Sequence, residues 1–494
     1  MFKKVLIANR GEIAVRIMRT CREMGIHTVA VYSDVDTHAA HVLEADESFL
    51  LGEANPSSSY LNMDRIISAA EATGADAIHP GYGFLAENPK FAEQCEASGK
   101  TFIGPPAPVI RNLGDKTLAR RIMESAGVPV IPGMMDPTTD TARLIREAER
   151  LGFPVLVKAV AGGGGKGMRV VSTPEEMHEA CLTAGSEAEK AFGNSALYLE
   201  KRVESPRHIE FQILADSYGN VVHLFERECS IQRRHQKIIE ETPSPVMTES
   251  LRHEMGQAAL DAAKASKYVN AGTVEFLQDE TGKFYFLEVN TRLQVEHPVT
   301  EMTTGIDIVR QQLEIAAGGR LGLAQVDILQ RGHAIECRIY AEDPENNFLP
   351  SPGQIALFRE PSGPGIRNDC GVYAGDEVPV EYDPILSKLI ASAGTRKAAI
   401  ERMIRALESY VILGIKTTIP FLIDLLYSRQ FTEGEICTDF IDRHFRGWTQ
   451  DMRYADLARI VYVLEESVRS SGQTYGGPKT GWPTPWETLG HWRA

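Results

Sequence analysis

The stretch GTVEFLQDETGKFYFLEVNTRLQVEHP, in the middle of the chain, constrains the fold more than any other. Two runs rich in β-branched and aromatic residues, at 273–277 and 283–289, flank the turn sequence DETG, and this pattern predicts an antiparallel hairpin. A symmetric turn would place Glu275 opposite Phe286, so that Glu288 would lie on the same face of the sheet as Glu275. The hairpin therefore predicts two neighbouring carboxylates.

Polar side chains occupy every second position as the second strand ends: Glu288, Asn290, Arg292, Gln294 and Glu296. In one extended strand all five would point to the same side, while Val289, Leu293 and Val295 would point into a core. Such a strand would span about 26 Å at ~3.3 Å per residue, which is too long for one small ligand. We therefore expect the chain to curl after Asn290.

These residue types indicate a site for a metal ion and an anion. Glu275, Glu288 and Asn290 would form an oxygen cluster suited to Mg²⁺ with nucleotide phosphates. Arg292 would offer its planar guanidinium group to a carboxylate-like or carbonate-like anion, with Glu296 nearby as a base. The alternative is an amphipathic hairpin whose charged face is solvated. The strict period of two and the ending Gln-Val-Glu-His-Pro favour the binding site.

The composition indicates a large globular protein that acts on small molecules. Its 494 residues are 43% apolar, which is enough for a sizeable core in about three domains of ~150 residues. The formal net charge of -15 argues against nucleic acid or an anionic membrane as a partner. The 7 cysteines include no C-x-x-C pair, so they indicate a reducing cytoplasm rather than a disulfide framework or a zinc site. Neither a signal peptide nor a membrane span is expected.

The beginning of the chain predicts a doubly wound α/β fold. An apolar strand at 4–8, a helical pattern at 12–24 and a second strand at 27–32 form a β-α-β unit. The dinucleotide fingerprint G-x-G-x-x-G is absent. Tyr82, between two glycines, lies in a tight loop at the end of a strand, where open α/β sheets bind ligands, although a packing role fits equally well.

The next segment carries lysines and glycines suited to phosphate. Asp115 is expected to cap a helix that begins at Lys116. In GFPVLVKAVAGGGGKGMRVV, Lys158 lies within an apolar strand and is followed by Gly162, Gly163, Gly164, Gly165 and Lys166. Because the backbone N–H groups of a glycine run can close on phosphate oxygens, we interpret this hairpin as a lid over a triphosphate rather than as a flexible linker. It is not a Walker A loop, because no Ser or Thr follows the lysine.

Two further stretches carry polar residues that suit a nucleotide or an anion. Glu200, in YLEKRV, is placed to accept a hydrogen bond from an adenine amino group. His208 lies in the predicted strand RHIEFQIL, and the loop SIQRRHQK supplies Gln232, His235 and Lys237. A basic loop beside an acidic hairpin suggests an anion held between a cation and a metal, with a solvated loop as the alternative.

The pattern changes at Gly332 to short antiparallel strands with Pro/Gly turns, followed by helices near 398–407 and 420–428. This change predicts a separate α+β domain. Arg338 alternates with Glu336 and Tyr340 on one face of a strand, so the pattern alone indicates a surface salt bridge.

Seven motifs occur in this order along the chain: VLIANRGEIAVRI, HPGYGFLAEN, GGGGKGMR, RHIE, ERECSIQRRHQK, EVNTRLQVEHPVTE and IECRIYAEDP. They resemble the motifs of biotin carboxylase, an ATP-grasp family, over about residues 2–446. The resemblance implies an ATP-grasp fold with four parts. These are an N-terminal doubly wound, Rossmann-like domain at 1–114, an ATP-grasp domain at 115–330 with a lid at about 131–203, a C-terminal α+β domain at 331–446 and an extension at 447–494.

The resemblance also implies the reaction, which is ATP-dependent carboxylation of biotin by bicarbonate with Mg²⁺ or Mn²⁺. Glu296 would deprotonate bicarbonate for attack on the γ-phosphoryl group, and Arg338 would stabilise the biotin enolate after carboxyphosphate breaks down. By matching positions, Lys116, Lys158, Gly162–Gly165 and His208 hold the phosphates; Glu200, Lys201, Val203 and His235 surround adenine and ribose; Glu275, Glu288 and Asn290 hold the metal; Lys237, Arg292, Gln294, Val295 and Glu296 hold bicarbonate; and Tyr82 and Arg338 approach biotin.

The partners follow from the same resemblance. No Met-Lys-Met tripeptide occurs in the sequence, so we expect biotin on a separate biotin carboxyl carrier protein, with carboxyltransferase subunits and acetyl-CoA, another acyl-CoA or pyruvate as the final acceptor. A homodimer is implied through Arg19, Glu23 and Arg367, with Pro364 in place of an expected aromatic residue. Two other classes stay open, an ATP-grasp carboxylate–amine ligase and a non-catalytic nucleotide-sensing subunit.

The last segment lies beyond the resemblance. Residues 452–464 show helical spacing, and Trp482, Trp486 and Trp492 follow in the tail. Because disordered ends are normally poor in aromatic residues, we expect this tail to pack against its own chain or against a partner subunit.

Overall fold

The fold is described from a computed structural model, in which residues 1–160 and 168–472 are described. The chain divides into a compact unit, Met1–Trp448, and a second unit that begins at Thr449. Gly162–Gly165, Lys166 and the three tail tryptophans lie outside the described residues. The interpretation of the glycine run and of the tail therefore stays a prediction.

The N-terminal part is an open parallel sheet with helices between its strands. Its elements are β1 Lys4–Ile7, α1 Gly11–Glu23, β2 His27–Ser33, α2 Ala40–Glu44, β3 Glu47–Gly52, α3 Met63–Ala72, β4 Ala77–His79, α4 Pro89–Ala97, β5 Thr101–Phe102 and α5 Ala107–Gly114. The strand order is β3-β2-β1-β4-β5, with all neighbours parallel. The order reverses at β1, so the loops after β1 and β4 border the crevice where open α/β sheets bind ligands. The predicted doubly wound fold is confirmed.

A small α/β unit follows. It contains α6 Lys116–Ser125, α7 Thr141–Leu151, β6 Val155–Ala159, β7 Met168–Val171, α8 Met177–Phe192 and β8 Leu197–Lys201. Asp115 caps α6 as predicted, because its carboxylate accepts from the N–H groups of Thr117 and Leu118. The three strands form an antiparallel sheet in the order β7-β6-β8. Burial alternates along β6, with Val155 and Val157 buried and Lys158 half-buried.

The central feature is an antiparallel sheet of eight strands. Its first half is built from β9 Arg207–Ala215, β10 Val221–Arg233, β11 Gln236–Thr242, α9 Glu249–Ala265, β12 Asn270–Gln278, β13 Phe284–Asn290, α10 His297–Thr304 and α11 Ile308–Ala316. The segment SIQRRHQK, expected to be a loop, is a tight hairpin instead. Gln232 lies opposite Lys237, and Arg233 at the end of β10 lies opposite Gln236 at the start of β11. Only Arg234 and His235, both with positive φ, form the turn.

The remaining elements extend and cover this sheet. They are β14 His333–Tyr340, β15 Glu342–Asp343, β16 Leu349–Pro350, β17 Gly353–Gln354, β18 Leu357–Arg359, β19 Ile366–Cys370, β20 Glu377–Val378, β21 Ile385–Ala393, α12 Arg396–Ser409, β22 Val411–Leu413, α13 Ile419–Tyr427, α14 Arg429–Glu433 and α15 Phe440–His444. Helices α12 and α13 pack on a core that includes Ile339, Leu389 and Leu422.

The eight strands run in the order β13-β12-β9-β10-β11-β14-β21-β19. The sheet therefore continues without interruption across the predicted boundary between 115–330 and 331–446, because β14 pairs with β11. Three strands of the segment after Gly332 extend the sheet that carries the predicted site. The division of the chain into domains stays a prediction.

The second unit contains one described helix, α16 Ala455–Gly472. The predicted helical spacing is confirmed, although Met452 precedes the helix. Ile460, Val463 and Leu464 are exposed on it. Within the described residues, no helix combines the length and the apolar character that crossing a membrane requires.

Candidate active site

The site is built on one row of residues that crosses four strands of the central sheet. Arg227 on β10 pairs with Glu210 on β9, Glu210 pairs with Glu275 on β12, and Glu275 pairs with Glu288 on β13. The expected pairing of Glu275 with Phe286 is wrong, because a β-bulge makes Leu287 an extra residue on β13 and places Phe286 opposite Phe276. The bulge brings the two carboxylates directly opposite each other, closer than a regular hairpin would.

Lys237 lies at the centre of the acidic residues. Its ammonium group donates to Glu275 Oε1 at 2.8 Å, to Glu296 Oε1 at 2.7 Å and to Glu210. Burial lowers the pKa of Lys237, but the three carboxylates outweigh that effect and raise its pKa well above the ordinary value. Lys237 is therefore a fixed positive charge that holds three strands and the Glu296 segment together.

A buried histidine completes the donors around Glu275. Gln232 Nε2 donates to His208 Nδ1 at 2.6 Å, so the other ring nitrogen is the donor to Glu275 Oε2 at 2.8 Å. Burial raises the pKa of Glu275, but Lys237 and then His208 outweigh it, so the pKa lies well below its ordinary range. Glu275 is ionised, and the sequence-predicted residues His208, Gln232 and Lys237 all lie around it.

The chain leaves the sheet after Asn290, as predicted, and curls into α10, which begins at His297. Asn290 Nδ2 and Gln294 Nε2 both donate to Glu275 Oε1, at 2.6 and 3.1 Å. The expected alternation fails within the curl, because Val295 is only half-buried while Gln294 and Glu296 are buried. A curled backbone does not keep the period of two, so polar and apolar residues both face the interior.

Arg292 is fixed by oxygens on several sides. It donates to Gln294 Oε1 at 2.7 Å, to Asn290 Oδ1 at 3.2 Å and, through Nε, to Glu87 Oε2 at 3.1 Å. Glu87 belongs to the N-terminal part, so this arginine links the curl to the doubly wound sheet.

Arg338 is buried, which contradicts the surface salt bridge expected from the pattern. Its guanidinium group donates to Glu240 Oε1 at 2.7 Å and to Glu296 Oε2 at 2.9 Å. Neighbouring strands β11 and β21 cover both edges of β14 and supply the burial. Glu296 thus lies between two cations, with one oxygen on Lys237 and the other on Arg338.

The electrostatics keep Glu296 ionised. Burial and the nearby Glu210 carboxylate raise the pKa of Glu296, but Lys237 and Arg338 outweigh them and hold it below the ordinary value. An ionised carboxylate can accept a proton, as the role expected of Glu296 requires.

A cleft lies between the small α/β unit and the hairpin. It is lined by Lys116, Arg120, Val130, Ile131, Lys158, Tyr198, Glu200, Phe286, Leu287 and Glu288. Four sequence-predicted residues, Lys116, Lys158, Glu200 and Glu288, therefore face one space. Glu200 accepts hydrogen bonds from Lys158 and from Arg120, the latter at 3.0 Å, so the strand lysine has the partner that its burial requires.

Three residues expected near adenine and ribose are absent from the lining of this cleft. The ammonium group of Lys201 donates to the carbonyl oxygens of residues 152 and 153, both at 2.9 Å. Val203 is half-buried just after β8, and His235 is exposed in the hairpin turn. Their proposed nucleotide contacts stay predictions.

Tyr82 lies in the loop after β4, at the crevice of the parallel sheet. Gly81 and Gly83 have φ of +62° and +68°, a conformation that favours glycine, which explains the tight turn. Asn9, after β1, donates to the carbonyl oxygens of Pro80 and Tyr82 at 2.7 and 2.6 Å and ties the two loops together. The Tyr82 hydroxyl donates to Glu12 on α1.

Comparison with known proteins agrees with this architecture. Family profiles match three successive parts of the chain: "Biotin carboxylase, N-terminal domain" at residues 1–110, "Carbamoyl-phosphate synthase L chain, ATP binding domain" at 115–324 and "Biotin carboxylase C-terminal domain" at 336–443. Biotin carboxylase 1 of Bacillus subtilis is 52% identical over 445 residues, which are 90% of this chain and 99% of the relative. The chain belongs to the biotin carboxylase family.

Two further relatives are similar to this chain in sequence or in structure. A pyruvate carboxylase subunit of Methanothermobacter thermautotrophicus is 54% identical over 475 residues, 96% of each chain. The biotin carboxylase domain dimer of Hydrogenobacter thermophilus 2-oxoglutarate carboxylase, solved with MgADP, ADP and bicarbonate, has a TM-score of 0.88 and 50% identity and covers 91% of this chain and 99% of that one. The family, the ATP-grasp fold and the enzyme class expected from the sequence are confirmed.

The residues expected to hold a divalent cation fit that role. Within the described residues, Glu288 makes no hydrogen bond or ion pair, and burial followed by the charge of Glu275 raises its pKa. A cation beside Glu275 and Glu288 would remove this repulsion, and carboxylate oxygens are the ligands that Mg²⁺ prefers. Two other acidic groups, His208-Glu210-Glu275 and Glu210-Cys229-Glu296, already have Lys237 or Arg227 as their counter-charge.

A second buried carboxylate pair lies next to Arg338. Glu240 and Glu336 are cross-strand neighbours, and within the described residues neither oxygen of Glu336 has a hydrogen-bond partner. Burial, partly offset by Arg338, raises the pKa of Glu240 to about 7. Burial and then the charge of Glu240 raise the pKa of Glu336 well above its ordinary value.

This pair predicts a pH-dependent effect of a Glu336→Gln substitution on stability. Above the ordinary carboxyl pKa near 4.5, the folded chain keeps a proton that the unfolded chain has lost, so the free energy of unfolding falls as pH rises towards the raised folded pKa. Glutamine does not titrate and removes this penalty. We expect the Tm of the variant, relative to the unaltered protein, to rise by about 1–3 °C between pH 5 and pH 8.

Thermal unfolding followed by circular dichroism at both pH values measures this difference. Glu280→Gln, an exposed change in the hairpin turn, serves as the matched control. A constant Tm difference at both pH values would contradict a protonated Glu336.

Sequence analysis missed Glu87, Glu210, Arg227 and Glu240, although each contacts a predicted site residue or a neighbour of one. Glu210 had a signal, because it follows His208 by two positions on the same strand and so shares its face. Arg227 is fully buried, and its Nε donates to Glu210 Oε1 at 2.6 Å. Its role depends on the pairing of β9 with β10, which a local pattern does not fix.

Proposed function

We propose that this chain catalyses the ATP-dependent carboxylation of biotin by bicarbonate, the first half-reaction of a biotin-dependent carboxylase. The observation that carries this proposal is the position of Glu296, whose two oxygens contact Lys237 and Arg338 beside the Glu275–Glu288 pair. One carboxylate therefore contacts a lysine and an arginine, and that lysine also contacts Glu275 of the carboxylate pair.

The first step forms carboxyphosphate. Glu296 accepts the proton of bicarbonate, and a bicarbonate oxygen attacks the γ-phosphorus of ATP, so that the bond to the β-phosphate oxygen breaks and ADP leaves. Lys237 and Arg292, with Gln294 and the Val295 backbone, are proposed to hold the bicarbonate. A divalent cation held by Glu275, Glu288 and Asn290 would neutralise phosphate charge during this step.

The second step transfers the carboxyl group. Carboxyphosphate breaks into CO₂ and phosphate, the phosphate takes the proton of the biotin ureido nitrogen, and that nitrogen attacks CO₂. Arg338 is proposed to stabilise the negative charge on the ureido oxygen, and Tyr82 to contact biotin. Arg338 must break its contact with Glu296 to do so, while its hydrogen bond to Glu240 is kept.

The nucleotide is proposed to occupy the cleft that Lys116, Lys158 and Glu200 line. Lys116 and Lys158 provide positive charge for the phosphates, with His208, Gln232 and the glycine run of 162–165 with Lys166. Glu200 faces the cleft as an acceptor for an adenine amino group, near Lys201, Val203 and His235. Arg120 and Tyr198, which the sequence reasoning did not include, are added to this set.

We also propose the partners and the location. Biotin is carried by a biotin carboxyl carrier protein and passes its carboxyl group to an acceptor on carboxyltransferase subunits. Two copies of this chain form a homodimer in which Arg19 and Glu23, with side chains 46% and 70% exposed, are available for contact. Arg367 instead donates to Glu301 and Asp369 of its own chain. A cytoplasmic location is supported by seven cysteines that are all free.

The test of the function is ADP release by the purified chain in three conditions: ATP alone, ATP with bicarbonate, and both with free biotin. We expect bicarbonate-dependent ADP release that biotin accelerates, together with acid-labile fixation of labelled bicarbonate on biotin. ADP release that needs an amine in place of biotin would instead identify a carboxylate–amine ligase. ATP binding with no turnover would identify a nucleotide-sensing subunit.

A further inference from the structure

A fully buried lysine lies next to the loop that carries Tyr82. Lys388, on β21, has no exposed side-chain surface, and its ammonium nitrogen is 3.0 Å from Glu12 Oε2 and 3.9 Å from Asp369 Oδ2. The same nitrogen lies 5.9 Å from the centre of the Tyr82 ring. The other oxygen of Glu12 accepts the hydrogen bond from the Tyr82 hydroxyl. Glu12 therefore bridges a buried cation and the tyrosine.

Three distant parts of the chain meet at this bridge. Glu12 lies in the first turn of α1, Tyr82 follows β4, and Lys388 lies on β21 of the central sheet. The approach is close, since a Cβ added to Gly371 would lie 2.3 Å from the Glu12 backbone nitrogen. Helix α1 thus packs against the central sheet at the position of Glu12.

Burial of this charge is unfavourable unless it has a specific counter-charge. The Lys388–Glu12 contact has the distance of a hydrogen bond but not its alignment, so the two groups interact mainly through their charges. Replacing a buried ion pair by an apolar pair of similar volume is often neutral or stabilising. The buried pair is therefore poorly explained by stability alone.

The register of the central sheet explains what the pair can position. Lys388 on β21 lies directly opposite Arg338 on β14. Lys388 is therefore the cross-strand neighbour of Arg338 and also contacts Glu12, which accepts the hydrogen bond from Tyr82. The two residues proposed to approach biotin therefore depend on one cross-strand pair, although they lie in different parts of the chain. Arg338 belongs to that pair, and Tyr82 is linked to Lys388 through Glu12.

We infer that Glu12 and Lys388 are positioning residues that hold the Tyr82 hydroxyl in place for the carboxyl acceptor, biotin, relative to Arg338. The inference rests on the proposed function, in which Tyr82 and Arg338 approach biotin. Glu12 orients Tyr82 through its hydroxyl, and the ammonium group of Lys388, 3.0 Å from the other oxygen, keeps Glu12 aimed at that hydroxyl. Neither residue contacts substrate.

The test compares Glu12→Gln, Tyr82→Phe and the double variant in assays with free biotin. We expect the KM for biotin to rise roughly tenfold in Glu12→Gln, the size expected for a weakened hydrogen bond to a charged group. The two changes act on one hydrogen bond, so the double variant should match the more affected single variant rather than multiply the two effects. Bicarbonate-dependent ATP cleavage by Glu12→Gln without biotin should stay within twofold of the unaltered protein.

A second variant covers the case in which Glu12→Gln does not fold because Lys388 is left unpaired. Glu12→Gln with Lys388→Met removes both charges and nearly conserves volume, and it should show the same rise in KM with an unchanged Tm. The matched control is Lys4→Met with Glu47→Gln, which removes a partly exposed Lys–Glu pair, 2.6 Å apart, from the N-terminal parallel sheet.

The outcomes separate this inference from the proposed function. If the unaltered chain does not carboxylate biotin, the proposed function is wrong. If it does, but the KM for biotin in Glu12→Gln matches the control, or the effects of Glu12→Gln and Tyr82→Phe multiply, the positioning role is wrong and the pair is only a structural contact.

Discussion

A Glu288→Gln variant should lose bicarbonate-dependent ATP cleavage by roughly 10³-fold at saturating Mg²⁺, because a bound cation supplies several kcal/mol of charge stabilisation in phosphoryl transfer. The fold should survive the change. Within the described residues Glu288 makes no hydrogen bond, and burial already raises its pKa towards the neutral form that glutamine imitates. We therefore expect a Tm equal to or slightly above that of the unaltered protein.

The measurement is the rate of ADP release as a function of Mg²⁺ concentration. Glu280→Gln makes the same chemical change in the exposed turn of the same hairpin and should leave the rate unaltered. Full activity of Glu288→Gln at saturating Mg²⁺ would exclude Glu288 as a metal ligand. A large loss of Tm would show instead that the carboxylate is structural.

An Arg338→Ala variant should separate the two halves of the reaction. Carboxylation of free biotin is expected to fall by roughly 10²- to 10³-fold, the usual loss when one donor to a developing oxyanion is removed. Bicarbonate-dependent ATP cleavage should fall by less than about tenfold, since Glu296 keeps its contact with Lys237 at 2.7 Å. Glu240 loses its partner, but with a pKa already raised to about 7 it takes up a proton at low cost.

Both rates are measured on the same preparation, one as ADP released and the other as labelled carbon fixed on biotin. Arg396→Ala is the matched control, because Arg396 donates at 2.7 Å to Glu241, the residue next to Glu240 on β11. Equal losses of ATP cleavage and carboxylation in Arg338→Ala would assign Arg338 to the first step.

The hairpin and the curl were predictable because their signals are local. Alternation of side chains and a turn of four residues fix the two strands, and the span of an extended strand requires the chain to bend after Asn290. The bulge at Leu287 carries no such signal, and it decides that Glu275 faces Glu288 rather than Phe286. One extra residue in a strand is a tertiary effect that the sequence pattern does not specify.

The buried state of Arg338 was not predictable for a similar reason. Its strand shows the alternation of a half-exposed edge, but β11 and β21 flank it and Glu240 and Glu296 approach from distant segments. Lys388 and Glu12 also meet only because α1 packs against β19 and β21 of the central sheet. Such contacts need the strand order, whereas the family motifs supplied the role of Arg338 without its surroundings.

The central claim is that bicarbonate, and not water, attacks the γ-phosphoryl group of ATP in this site. Bicarbonate labelled with ¹⁸O on all oxygens tests it, because the attacking oxygen stays on phosphorus when carboxyphosphate breaks down. Mass spectrometry of the phosphate formed with ATP, Mg²⁺ and free biotin should show one ¹⁸O atom in each phosphate. Phosphate without ¹⁸O would show attack by water and would contradict the account.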